Sequence, residues 1–113
     1  MRTYIEEIYT PYGMDEVKLR VNRWFAGDGK KYKIQKQTSN EILLKRGMTM
    51  NPDIYFQLTI GEDTVRFECW VKGFTKDPIS SAAVWGAISR RTGWNDFQNL
   101  KAILIDGVIP GSL

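Results

Sequence analysis

The chain has 113 residues, 42% hydrophobic, 26% charged and 12% aromatic, with a net charge of +3. That length supports one continuous core, and no apolar run approaches the ~20 residues a bilayer-spanning helix needs. With no His and a single Cys, Ser-His-Asp and Cys-His catalysis, His-based zinc sites, imidazole proton shuttling and an internal disulfide are all excluded.

The first residues, Met1-Arg2-Thr3-Tyr4-Ile5-Glu6-Glu7, carry acids where a signal peptide would carry an apolar stretch, so a cytoplasmic location is expected. Thr3 to Tyr9 reads as a strand with Tyr4, Glu6 and Ile8 on one side. Pro11-Tyr12-Gly13 breaks it. Met14, Val17, Val21, Trp24 and Phe25 then recur at offsets 0, 3, 7, 10 and 11, one face of a helix. Asp15 and Glu16 near its start and Arg20 and Arg23 near its end complement the helix dipole. Gly27-Asp28-Gly29 stops it. That stop is followed by Lys30-Lys31, but it has neither the glycine spacing, the hydroxyl nor the preceding strand of a phosphate-binding loop.

Two hairpins follow. In the first, Tyr32, Ile34 and Lys36 alternate against Ile42, Leu44 and Arg46. Both apolar sets fall at even positions, so inward pairing needs an odd loop. A loop of Gln37-Thr38-Ser39 pairs Ile34 with Ile42 and Lys36 with Asn40. The second hairpin, Asp53 to Gly73, sets Ile54, Phe56, Leu58 and Ile60 against Val65, Phe67, Cys69 and Val71. One set is even and the other odd, which requires an even loop. Ile60 then meets Val65, Leu58 meets Phe67, Phe56 meets Cys69 and Ile54 meets Val71, and a slip by one would turn Arg66 onto the apolar face. Cys69, in mid-strand, reads as a buried structural thiol rather than a nucleophile.

Asp77-Pro78 reads as an N-cap followed by Pro at the first helical position. Ile79, Ala83, Val84, Trp85 and Ile88 form the buried stripe of that expected helix, Arg90 and Arg91 suit its end, and Gly93 stops it. Asn95 or Asp96 then caps a last helix carrying Phe97, Leu100, Ile103 and Leu104. The expectation is an α+β fold, β-α-β-β-β-β-α-α, in which an antiparallel sheet of four to five strands has its helices packed on one face. A single domain over 1–106 and a C-terminal tail over 107–113 complete the layout.

The second hairpin's register also fixes what points away from the helices. Tyr55 falls opposite Trp70, Gln57 opposite Glu68, Thr59 opposite Arg66 and Asp53 opposite Lys72. An adjacent Trp and Tyr on a sheet's outer face offer enough apolar surface to suggest contact. Tyr55, Trp70, Arg66 and Lys72, with Leu43 from the neighbouring hairpin, are the candidate binding residues. Cross-strand pairing that only stabilises the sheet is the plain alternative. The expected role is a non-enzymatic protein-interaction or oligomerisation module, its partner another protein or a second copy.

Two other roles compete. Residues 1–47 hold ten Lys/Arg against six Asp/Glu, and single-stranded nucleic acid stacking on the aromatics would place Lys33, Lys45, Arg66 and Lys72 at phosphates. Glu68 on the same face and the absence of an aromatic RNP1 pattern weigh against it. Solvated lysines guarding an edge hairpin explain the charge more simply. A small-molecule pocket lined by Trp24, Trp85 and Phe97 is the other alternative. No residue pattern points to a catalytic group, a cofactor or a metal. Adjacent carboxylates such as Glu6-Glu7 point to opposite faces of a strand, and only Glu6, inward, sits where a raised pKa is conceivable.

Overall fold

The computed structural model describes residues 2–81 and 88–105. Strand β1 (Tyr4–Tyr9) leads into helix α1 (Met14–Ala26). Strands β2 (Tyr32–Gln37), β3 (Glu41–Arg46), β4 (Asp53–Ile60), β5 (Thr64–Lys72) and β6 (Lys76–Pro78) follow, and helix α2 (Ile88–Ile105) closes the described chain. The sheet is antiparallel throughout, in the order β1-β5-β4-β3-β2. β1 pairs with residues 64–69 of β5 and β6 with residues 70–72, so the two share one edge end to end. β2 forms the other edge. Both helices lie on the same face, as the amphipathic patterns of helix and strand require of each other.

The β4–β5 hairpin has the register its alternation dictates, Ile54–Val71 through Ile60–Val65. Every inward side chain on it is buried. Gly61 donates to the Thr64 carbonyl at 2.8 Å, which closes the turn over Glu62-Asp63. Phe56, Phe67 and Cys69 are wholly buried. Burial pushes the Cys69 thiol well above its usual range, and the charges of Glu6 and Glu68 add to the shift, so it is held as a neutral core side chain.

The β2–β3 hairpin departs from its expected register. Ile34 pairs with Leu44 rather than Ile42, and a bulge at Gln35 shifts the ladder so that Lys36 meets Leu43 and Gln37 meets Ile42. The extra residue turns Lys36 onto the outer face, and the loop parity inferred from two even sets no longer applies. Only Tyr32 of β2 is buried. With a single buried residue, burial cannot pin the register of this edge strand.

α1 has the expected extent and ends as its glycines suggest. Gly29 donates to the Trp24 carbonyl at 2.7 Å and lies so close beneath the indole that a Cβ there would fall 2.3 Å from Cε3. Trp24 packs against Tyr32 and Phe56 and donates from Nε1 to Asn99 at 2.8 Å. Arg20 does more than complement a dipole. It is buried, stands 3.8 Å over the Tyr12 ring, pairs with Glu16 at 3.1 Å and donates to the Ile103 carbonyl. Thr10 donates to the neighbouring Leu104 carbonyl at 2.8 Å. Together they satisfy carbonyls in the last turn of α2 that the helix leaves open.

The C-terminal half differs in detail from the sequence reading. Asp77-Pro78 belongs to β6, where Pro78 pairs with Trp70 and Asp77 with Val71, and does not open a helix. Gly93 does not stop one either. It sits inside α2, buried, where a Cβ would come within 2.7 Å of Ile79 Cγ2 and 3.0 Å of Ile54 Cγ2. A glycine that lets a helix settle onto a strand reads, in sequence, like a terminator. Ile79 is buried as expected, whereas Ile88 is exposed, and Arg90 and Arg91 stand near the start of α2. Asp96 lies within the helix rather than capping it. Its carboxylate accepts from Tyr32 Oη at 2.8 Å and Arg46 Nη1 at 2.7 Å, tying α2 to β2 and β3. Ala83, Val84, Trp85 and the tail 107–113 lie outside the described residues.

Candidate functional site: the outer sheet face

Among the described residues, neither helix packs on the second face of the sheet. The ladder arranges its side chains in rows across the strands. At one end, Glu7, Arg66, Thr59 and Glu41 are aligned across β1, β5, β4 and β3. The middle row is Ile5, Glu68, Gln57, Leu43 and Lys36. Next come Pro78, Trp70, Tyr55, Lys45 and Lys33. Lys76, Lys72 and Asp53 form the last.

The five residues singled out from sequence are all on this face. Tyr55 and Trp70 stack directly, with ring centroids 5.4 Å apart and planes 5° from parallel. Near-parallel rings at that centroid distance are offset, so each covers part of the other's face. Lys76 Nζ lies 4.6 Å from the Trp70 ring centre on the β6 side, and Lys45 Nζ is 5.9 Å from that of Tyr55 on the β3 side. The result is a lysine–Trp–Tyr–lysine stack running across four strands. Leu43 is half-buried one row away, and Arg66 and Lys72 are exposed.

Charge on the face is unevenly placed. Lys33, Lys45, Lys72 and Lys76 occupy the aromatic end with Asp53 as the acid among them. Two of their ladder pairings set lysine directly opposite lysine, Lys33 with Lys45 and Lys72 with Lys76. Like charges placed opposite each other weaken a sheet, and here Lys45 is relieved by Asp53 at 3.4 Å. The opposite end carries Glu7 and Glu41, with the Glu62-Asp63 turn beyond them, against Arg66. In the middle row Glu68 accepts from Thr3 at 3.0 Å and lies 3.7 Å from Arg66. A concavity of about 390 Å³ opens at the basic end between Lys31, Lys33, Gln35, Lys45, Gly47 and Asp53.

Sequence reasoning missed Lys76, because Asp77-Pro78 resembled a helix start. It also missed Ile5, 38% exposed in the middle row; the strand's parity already placed Ile5 opposite Tyr4 and Ile8. The proposed pocket residues are otherwise engaged. Trp24 and Phe97 are wholly packed, Phe97 edge-on to Tyr4 and Phe67, and Trp85 is outside the described residues. Glu6 faces α2, and its pKa moves opposite to the sequence expectation. Burial alone would raise it, but hydrogen bonds with Lys101 at 2.5 Å and with the Tyr4 hydroxyl, together with the Lys101 charge, leave it below the usual value. Tyr4 is pushed up to about 12 by burial and by the Glu6 carboxylate.

A second exposed apolar feature lies past the basic end, where Met50, at a φ of 58°, and Phe74 flank Pro52 and Lys72. Among the described residues no group of three or more Cys, Asp or Glu could hold a metal ion, and no helix is long and apolar enough to cross a membrane. No family model matches the chain, and no match was found among curated proteins or solved structures.

Proposed function

We propose that the chain is a non-enzymatic protein-contact module whose working surface is the outer face of the sheet. The observation that carries this reading is the Tyr55–Trp70 stack, flanked by Lys76 and Lys45 on the face away from both helices. Large aromatics ordered before contact lose little conformational freedom on binding, and such residues anchor protein interfaces.

The same geometry favours a protein over a single-stranded nucleic acid. A base stacks on a ring face. Here each ring is partly covered by the other, and Lys76 and Lys45 lie 4.6 and 5.9 Å from the Trp70 and Tyr55 ring centres, which leaves less open face for a base. What the surface offers is two partly covered rings, ammonium groups and the apolar Ile5 and Leu43.

Site-specific photo-cross-linking tests this reading. A photoreactive phenylalanine analogue at position 55 should yield adducts in the cells that make the protein, and the same group at Asn22, exposed on α1, should not. Absence of any adduct at position 55, or equal labelling from both positions, would contradict it.

A further inference from the structure

The rows of the outer face match one another end for end, and we infer that the partner is a second copy of this chain, docked face to face about a two-fold axis. This inference rests on the reading of that face as a contact surface. An axis lying in the interface along the middle row, from Ile5 through Gln57 to Leu43, inverts the strand direction and keeps the left and right edges in place. It lays the Lys33–Lys45–Tyr55–Trp70 row of each copy over the Glu41–Thr59–Arg66–Glu7 row of the other.

The pairs that result are complementary in kind. Lys45 on β3 falls over the other copy's Glu41, on the same strand. Trp70 on β5 falls over Arg66, setting the indole against the aliphatic stem of the guanidinium side chain. Pro78, beside Trp70 on the outer edge, falls over Glu7, beside Arg66 on that edge, and Lys76, whose Nζ lies 4.6 Å from the Trp70 ring centre, brings its charge to the same row. Ile5 and Leu43 meet their own copies at two separate points on the axis, with Gln57 meeting its own copy between them. Glu68 and Lys36 also approach their own copies, but each Glu68 already accepts from Thr3 and lies beside Arg66, and Lys36 stands exposed at the β2 edge. The opposed lysine pairs on the basic end gain the counter-charge that their own sheet supplies only through Asp53.

An isologous contact of this type closes as a dimer. Five strands ~4.8 Å apart and about six residues long present roughly 500 Å² per copy. Twice that area sits at the low end of specific interfaces, so dissociation in the micromolar range is expected.

Sedimentation of paired charge inversions tests the orientation. The wild type should dimerise at micromolar concentration and dissociate as salt rises. K45E/K76E makes both ends acidic and E7K/E41K makes both basic, so each alone should be monomeric, with a folded circular dichroism spectrum. Mixed one to one, they should form a heterodimer, because all four contacts are then attractive. A wild type that stays monomeric into the millimolar range, a dimer indifferent to salt or to either inversion, or a mixture that stays monomeric would overturn the inference. Adducts from position 55 to a different protein, beside a monomeric wild type, would remove the second copy and leave the contact reading standing. No adducts of any kind would remove both.

Discussion

The two faces of the β4–β5 hairpin share one backbone ladder and are used in opposite ways. On the inner face, Ile54, Phe56, Leu58, Ile60, Val65, Phe67, Cys69 and Val71 are all buried. On the outer face the largest side chains, Tyr55 and Trp70, lean on each other and on two lysines. The first face stores folding free energy. The second keeps large apolar surface ordered without enclosing it. A strand that alternates strictly can keep these two roles separate, because substitutions on one face leave the other's packing alone.

The largest test of that separation lies on the inner face. Phe67→Ala removes a wholly buried ring that packs edge-on to Phe97, and should cost ~3–5 kcal/mol in chemical denaturation. A loss below about 1 kcal/mol would mean that the inner layer is not the stabilising one. Asp96→Ala should come next. It strips Tyr32 and Arg46 of their shared acceptor and should cost roughly 1–3 kcal/mol. Tyr32, whose pKa is raised by burial and then by the charge and hydrogen bond of Asp96, should ionise at lower pH in that variant, which a spectrophotometric titration would read.

Trp70→Ala on the outer face should be far milder, with a Tyr55/Trp70 double-mutant cycle giving a coupling of about 0.5–1 kcal/mol. A loss as large as that of Phe67 would make the aromatic stack a structural element and erase the contrast between the faces. The smallest effect concerns Glu6, at the rim where β1 meets α2. Its folded pKa lies below the usual 4.5, so its contribution is present above the unfolded value and is lost as pH falls through the folded one. Glu6→Gln should therefore flatten the acid limb of stability against pH and leave the neutral region's slope unchanged. An unchanged acid limb would place the contribution elsewhere.

How much was legible from sequence follows the same division. The β4–β5 register could be read because both strands alternate without exception and only one pairing buries all the apolar residues. With it came the positions of Tyr55, Trp70, Gln57, Glu68, Arg66 and Lys72. The β2–β3 register could not be read in this way. β2 buries only Tyr32, and a bulge at Gln35 costs nothing that hydrophobic patterning records. Asp77-Pro78 has the composition of a helix start, and its pairing with Trp70 and Val71 becomes visible only once the edge of β5 is known to be free beyond residue 69. Gly93 misled for a steric reason: its missing side chain makes room for Ile54 and Ile79. Within the site, the aromatic pair was readable and the lysine that flanks it on β6 was not. Local pattern specifies what a strand buries, whereas the neighbours of an edge depend on which strand arrives there.

Self-association through the outer face is tested most directly by following backbone amide shifts of the labelled protein from micromolar to millimolar concentration. The account predicts concentration-dependent shifts at Leu43, Lys45, Tyr55, Arg66 and Trp70, with Lys18, Asn22 and Arg23 on α1 unmoved. Shifts confined to α1, or none on the sheet at any concentration, would contradict it.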